Sequence, residues 1–200
     1  NFDMVSNSGR KLEHLNISLN GSYNLNQGSN GLSGYRFLHQ ALPQADLKAI
    51  DTSTNFLGKP LKLPLMISPM VGGIKEAQSL NRKLAQAAQM MGIAMGVGSQ
   101  RTAIEDSSQA ETYRIRDVAP GILLLANLGA VQLNYGYGLT ECRQAVEMIE
   151  ADGLCLHLNC IQEAFQSEGN QNFSGLAGKI KEICSSLGFP VIAREVGFGM

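Results

Sequence analysis

The run Ile122-Leu123-Leu124-Leu125-Ala126-Asn127-Leu128-Gly129-Ala130 decides the fold. Its apolar part, 122–126, does not alternate, so it is not a strand with one wet face. It is also far too short to cross a bilayer. Continuous apolar character at strand length is what a parallel strand covered on both faces requires. A polar side chain and a glycine, Asn127 and Gly129, close the run.

Working outward, similar runs centre near Met66, Met95, Leu156 and Ala193, and with Leu125 the successive spacings are 29, 30, 31 and 37 residues. Helical segments are expected between them, over 77–91, 105–118, 141–150 and 173–187. In the first, Leu80, Leu84, Ala87, Ala88 and Met91 share one face, with Asn81, Arg82, Lys83 and Gln86 on the other. Strand alternating with helix at about thirty residues per unit means βαβ units and a parallel sheet.

Two α/β architectures accommodate this beat. A doubly wound open sheet of dinucleotide-binding type places G-x-G-x-x-G after its first strand. Here the first strand ends in Ser68-Pro69-Met70-Val71-Gly72-Gly73, which does not match. Polar residues instead follow every strand, as in a (β/α)8 TIM barrel, whose site collects side chains from many strand ends. The expected organisation is an N-terminal arm and lead-in over 1–60, with a mobile Asn/Gly/Ser-rich loop at 20–34, then the first four to five β/α units over 61–200. Residues 37–42 read as extended and 51–60 as turn-rich. The chain starts at Asn1 rather than Met and stops at Met200, after a strand-and-glycine pattern that ordinarily leads into another helix. It therefore reads as about the first half of a barrel.

The bulk composition narrows the function classes. With 200 residues, 44% hydrophobic and 16% charged, the chain has an ordinary globular balance, and its net charge of −1 leaves no basic footprint for nucleic acid or membrane. The four cysteines, Cys142, Cys155, Cys160 and Cys184, form no CxxC pair and read as buried thiols of a reducing, cytoplasmic compartment rather than a disulfide or zinc site.

The strand ends carry the candidate chemistry. Gly72-Gly73 lets backbone approach a flat or phosphorylated ligand, or marks a plain turn. Ser99-Gln100-Arg101 offers a hydroxyl, an amide and a forked cation for phosphate oxygens, or a capped helix start. His157 and Asn159, two apart, point the same way if both lie on a strand. Glu163 is a candidate Mg²⁺ ligand or a favourable helix N-terminal acid. Of Arg194 and Glu195, at most one faces the barrel centre. Jointly these residues point to an anionic, phosphorylated ligand with a metal.

Six blocks in order then resemble one family: Arg10-Lys11-Leu12-Glu13-His14, Met66-Ile67-Ser68-Pro69-Met70-Val71-Gly72-Gly73, Gly98-Ser99-Gln100-Arg101, Asn127-Leu128-Gly129-Ala130, His157-Leu158-Asn159-Cys160-Ile161-Gln162-Glu163 and Glu195-Val196-Gly197-Phe198-Gly199. They are similar to type 2, flavin-dependent isopentenyl-diphosphate isomerases, and 168–173 resembles the same family. The resemblance implies interconversion of isopentenyl and dimethylallyl diphosphate, a redox-neutral proton transfer that requires reduced FMN, Mg²⁺ and NADPH as reductant. It implies Arg10, Lys11, Ser99, Gln100, Arg101 and Gln162 at the substrate. Pro69, Met70, Val71, Ser99, Asn127 and Arg194 fall at the flavin and Glu163 at Mg²⁺, with Gln162, His157 and Asn159 as catalytic candidates. It further implies a homo-oligomer, tetramer or larger, for the full-length protein. The family usually has Thr at the place of Val71 and Lys at the place of Arg194, so one flavin-side hydroxyl is missing and one cation is bulkier and permanently charged. The family's flavin-phosphate site falls in later strands, so the 200 residues alone are expected to bind FMN poorly and show little activity. Two alternatives stay open: another FMN-dependent barrel oxidoreductase, of 2-hydroxy-acid oxidase type, and an inactive half-barrel that binds a partner.

Overall fold

A computed structural model describes Leu12, Asn16, Ile17, residues 32–166 and residues 169–197. The Arg10-Lys11 pair and nearly all of the 20–34 loop lie outside the described residues.

Five parallel strands form one sheet in which each pairs with its neighbours in sequence, curled into a half-barrel with its helices. They are β3 (Met66–Ile67), β4 (Ala94–Gly96), β5 (Leu124–Gly129), β6 (Gly153–His157) and β7 (Val191–Arg194). Each lies in one of the expected apolar runs. The helices are α1 (Lys75–Met91), α2 (Arg101–Glu105), α3 (Leu139–Met148), α4 (Cys160–Phe165) and α5 (Leu176–Ser186). None of the described helices is long and apolar enough to cross a membrane.

Alternate residues of the strands enter two different cores, as the period of two demands. Leu124, Ala126, Leu128, Leu154 and Leu156 join the layer that packs against the helices, including Ala85, Ala88, Ala145 and Val146. Leu123, Leu125, Ala94 and Cys155 form an inner cluster with Leu61 and the partly buried Ile192. The next inward positions along the same strands are Asn127, His157 and Arg194, so the inner face turns polar at its C-terminal end.

The N-terminal end is stoppered by a hairpin of β1 (Thr54–Phe56) and β2 (Lys59–Leu61). Leu61 enters the inner cluster, and Lys59 pairs with Asp152 at 3.0 Å. Asp152 also accepts from Arg116 Nη2 at 3.0 Å and from the Leu124 amide at 2.8 Å, tying the stopper to two strands. The turn-rich lead-in is thus real structure. Residues 37–42, by contrast, pair with nothing as a strand, and Phe37, Leu38 and Leu42 are exposed.

Three expectations are corrected. The segment 105–118 is not one helix: α2 stops at Glu105, and 107–112 is a 3-10 turn whose start is held by Asp106 Oδ1 accepting from the Ser108 amide. Such side-chain bonding to nearby backbone competes with the α-helical ladder. On α1 the buried face is Ala77, Asn81, Ala85 and Ala88, so Asn81 belongs to the core and Ala87 is exposed. Cys142 and Cys155 are buried but Cys160 and Cys184 are exposed; all four thiols are free.

Candidate active site

The polar rim follows from strand register. His157 pairs with Gly129 of β5 and with Arg194 of β7, so these strand ends lie side by side. His157 Nδ1 lies 3.1 Å from Asn127 Oδ1, and since a carbonyl oxygen only accepts, the proton is assigned to Nδ1. Arg194 Nε donates to Ser68 Oγ at 3.1 Å, reaching from the last described strand to the end of the first. Of the neighbours Arg194 and Glu195, it is therefore Arg194 that faces inward.

Burial pushes His157 down from its ordinary 6.5 to about 4, with the Arg194 charge acting in the same sense. The imidazole is neutral near pH 7. Between the two values the unfolded chain binds the proton and the folded one does not. The stability this contributes is complete above pH 6.5, declines as pH falls from 6.5 towards 4, and changes no further below. The loss amounts to up to about 3 kcal/mol. An NMR titration of the His157 ring should give a midpoint near 4; a midpoint at 6.5 would show a solvated ring.

The loop after β3 is held rigidly. Asn81 Nδ2 donates to the carbonyls of Val71 (3.2 Å) and Thr112 (3.1 Å), and Thr112 Oγ1 accepts from the Gly73 amide at 2.9 Å. Tyr113 is fully buried, and its hydroxyl donates to the Ser99 carbonyl at 2.6 Å. The 3-10 segment 107–112 with Tyr113 thus braces two strand-end loops at once, a role that α-helical periodicity in the sequence did not signal. Pro69 and Val71 are buried within this frame, while Met70 between them is 56% exposed.

Gln100 does not reach the mouth. It is fully buried, its Nε2 donates to the Ala145 carbonyl at 2.8 Å, and its Oε1 accepts from the Asn127 amide at 3.0 Å. With both ends of the amide occupied by protein, it joins β5 to α3 and has no group left for a ligand. Gln100→Leu should leave the buried Asn127 amide unpaired and cost roughly 1–3 kcal/mol, read as a lower denaturant midpoint. An unchanged midpoint would remove Gln100 from this structural role.

The remaining candidates gather on one side of the mouth. Arg101, half-buried, bonds Glu105 Oε1 through Nε at 2.8 Å and Asn170 Oδ1 through Nη1 at 3.4 Å. Glu163 Oε2 accepts from the Asn170 amide at 2.8 Å. Asn159 lies past the end of β6, so the strand argument that paired it with His157 does not apply; it caps α4, its Oδ1 accepting from the Gln162 amide at 3.3 Å and its Nδ2 contacting Gln162 Oε1. His157 and Asn159 nonetheless line one cavity of about 350 Å³, walled by Val131, Ile161, Phe173, Leu176 and Val196.

These groups suit the partners named above. A flat amphipathic ring needs an apolar wall with a few donors, and among the strand-end residues Met70 is an exposed apolar side chain while Arg194 is a cation that donates to Ser68. Among the described residues no three His, Cys, Asp or Glu side chains cluster to cage a metal. Glu163 offers a single carboxylate, a donor that would suit a hard cation taking its other ligands from water and phosphate.

A half-barrel of parallel strands with a polar rim at its C-terminal end defines a TIM-barrel enzyme class. The profile of the FMN-dependent dehydrogenase family matches residues 8–119, more than half of the chain, and the chain belongs to that family. Along 99% of its length it is 50% identical to a Nostoc sp. protein named isopentenyl-diphosphate delta-isomerase, covering 57% of that protein. Proteins of the same name from Synechococcus sp. (49% identical, 100% of this chain, 58% of the relative) and Rickettsia prowazekii (49%, 96% and 56%) are similar to it in the same way. The chain spans less than two thirds of the length of these relatives.

Proposed function

We propose that the protein carrying this chain isomerises isopentenyl diphosphate to dimethylallyl diphosphate. The observation that carries the reading is that Arg101 and Glu163 meet at Asn170, while the start of α4, the helix that carries Gln162 and Glu163, lines a largely apolar cavity through Cys160 and Ile161; a charged head and a hydrocarbon tail on one small molecule match that pairing.

When bound, reduced FMN supplies the proton-transfer chemistry at the alkene, kept reduced by NADPH, and Mg²⁺ supplies charge to the diphosphate. Arg101, with Arg10 and Lys11, holds the diphosphate oxygens by charge-assisted hydrogen bonds. Glu163 holds the metal, and Ser99 contacts both head group and flavin. Asn127 and Arg194 orient the flavin edge, and Met70 supplies its apolar wall. His157 keeps its proton on Nδ1 against Asn127, leaving Nε2 as a neutral acceptor. Gln162, set by Asn159, orients the reacting end of the substrate. The apolar cavity walls exclude water, which would otherwise quench a carbocation-like species. Four free thiols fit a cytoplasmic setting, and a homo-oligomer is part of the same reading.

The test is anaerobic incubation of the protein with FMN, NADPH, Mg²⁺ and isopentenyl diphosphate. Dimethylallyl diphosphate that forms only with both reduced flavin and Mg²⁺ is the expected result. The family's description, FMN-dependent dehydrogenase, supports a second reading, an FMN-dependent oxidoreductase, for which a 2-hydroxy acid is the substrate to test. No isomerised product, together with oxygen uptake that depends on a 2-hydroxy acid, would establish that reading instead.

A further inference from the structure

Three successive strand ends meet at one residue. Asn170 is partly buried in the segment between α4 and α5. Its Oδ1 accepts from Gln132 Nε2 at 2.7 Å and from Arg101 Nη1 at 3.4 Å, while its backbone amide donates to Glu163 Oε2 at 2.8 Å. Arg101 follows β4, Gln132 follows β5 and Glu163 follows β6. Gln132 is itself buried, 3% exposed, so the amide oxygen of Asn170 is anchored from below. The segment lies close on α4: a Cβ at Gly169 would sit 1.8 Å from the Glu163 carbonyl oxygen, and Gln171 Nε2 donates to the Ala164 carbonyl at 3.1 Å.

Arg101 and Glu163 carry opposite charges and interact electrostatically. Arg101 already holds Glu105 Oε1 through Nε at 2.8 Å, and its remaining Nη groups, left to themselves, would close on Glu163 as a second ion pair. A neutral amide that accepts from the cation with its side chain and donates to the anion with its backbone satisfies each without letting them meet. The Nη2 group of Arg101 and the Oε1 atom of Glu163 keep no partner among the described residues.

We propose that Asn170 is a positioning residue: it holds Arg101 and Glu163 apart and aimed, so that the cation stays available to a diphosphate and the carboxylate to a divalent cation. The inference rests on the isomerase reading and deepens it. It predicts a distinct pattern in two variants. Asn170→Ala frees Arg101 to pair with Glu163, so the affinity for Mg²⁺ and the KM for isopentenyl diphosphate both worsen by roughly tenfold or more, the scale usual for residues that orient metal ligands. Asn170→Asp restores the acceptor for Gln132 and Arg101, and with it the thermal stability. It also sets a second carboxylate, besides that of Glu105, against Arg101, so the substrate KM stays raised while Mg²⁺ affinity returns.

The experiment is calorimetric titration of Mg²⁺ into the FMN-loaded protein in the presence of inorganic pyrophosphate, alongside steady-state isomerisation, for the parent and both variants. The expected result is the split just described. A parent that isomerises and binds Mg²⁺, with Asn170→Ala within twofold of it in both constants, would overturn the inference and leave the isomerase reading intact. Full recovery of both constants in Asn170→Asp would also overturn it, because Asn170 would then only anchor its loop. A parent that binds no Mg²⁺ with pyrophosphate and forms no product would overturn both.

Discussion

Gly98→Ala should lower the melting temperature by roughly 5–10 °C. A Cβ at this position would lie 2.5 Å from the Val71 carbonyl carbon, 2.6 Å from its oxygen and 2.8 Å from its nitrogen. All three are backbone atoms, so no side-chain rotation relieves the overlap, and the loops after β3 and β4 must part. That strains the Gly98 amide bond to the Val71 carbonyl (2.9 Å) and, behind it, the Asn81 bond to the same oxygen. Overpacking of this kind costs about 1–3 kcal/mol or more, and at this chain length each kcal/mol moves the midpoint by about 2–4 °C. Gly178→Ala is the control with the opposite sign. Its Cβ meets nothing within 4 Å, it lies in α5, and alanine there should stabilise by roughly 0.5–1 kcal/mol. Differential scanning calorimetry of both variants checks the pair, and an unchanged midpoint in Gly98→Ala would show that the two loops are not in register.

Glu163→Gln should weaken Mg²⁺ binding by roughly 10–100-fold or more, the range seen when even supporting residues of metal sites are lost. The substitution keeps shape and size, and the amide oxygen can still accept from the Asn170 backbone, so the melting temperature should not move. Only the charge disappears, and a hard cation that binds through a single protein carboxylate depends on it. FMN affinity should stay the same. The Mg²⁺ dependence of isomerisation, compared between variant and parent at saturating substrate, provides the measurement. An unshifted dependence would remove Glu163 from the metal role.

The strands were legible because a parallel strand buried on both faces has no choice but continuous apolar character, and the units repeat at nearly constant length. Leu124 to Gly129 is the clearest case, buried throughout. The β1–β2 hairpin was harder to read because its turn lacks the usual Asn-Gly: Leu57 and Gly58 adopt φ of 52° and 80°, and leucine rarely accepts the first of these. Pro60 also reads as a strand breaker, yet it sits opposite Asn55 in a two-stranded edge ladder, where a missing N–H is tolerated. At the site, residue types and order pointed to the mouth, but side-chain direction did not follow from them. Gln100 is flanked by Ser99 and Arg101 and looks equally available, yet a buried strand amide at Asn127 needed an acceptor and took it. Asn81 was drawn inward by two loop carbonyls in the same way. Such demands come from residues 10 to 45 positions away and leave no local pattern.

The bond from Arg194 to Ser68 spans 126 positions of the chain, whereas the sheet is otherwise built by strands that pair with their sequence neighbours. Neighbouring units can zip together one after another, each closing only a short loop. The Arg194–Ser68 contact has a far larger loop-closure entropy against it and gains its reward only when every intervening strand is in place. Loop-closure entropy therefore predicts that this contact forms after the strands between its partners have paired. Damage to any strand between them registers there first, as a disordered rim over secondary structure that is still intact.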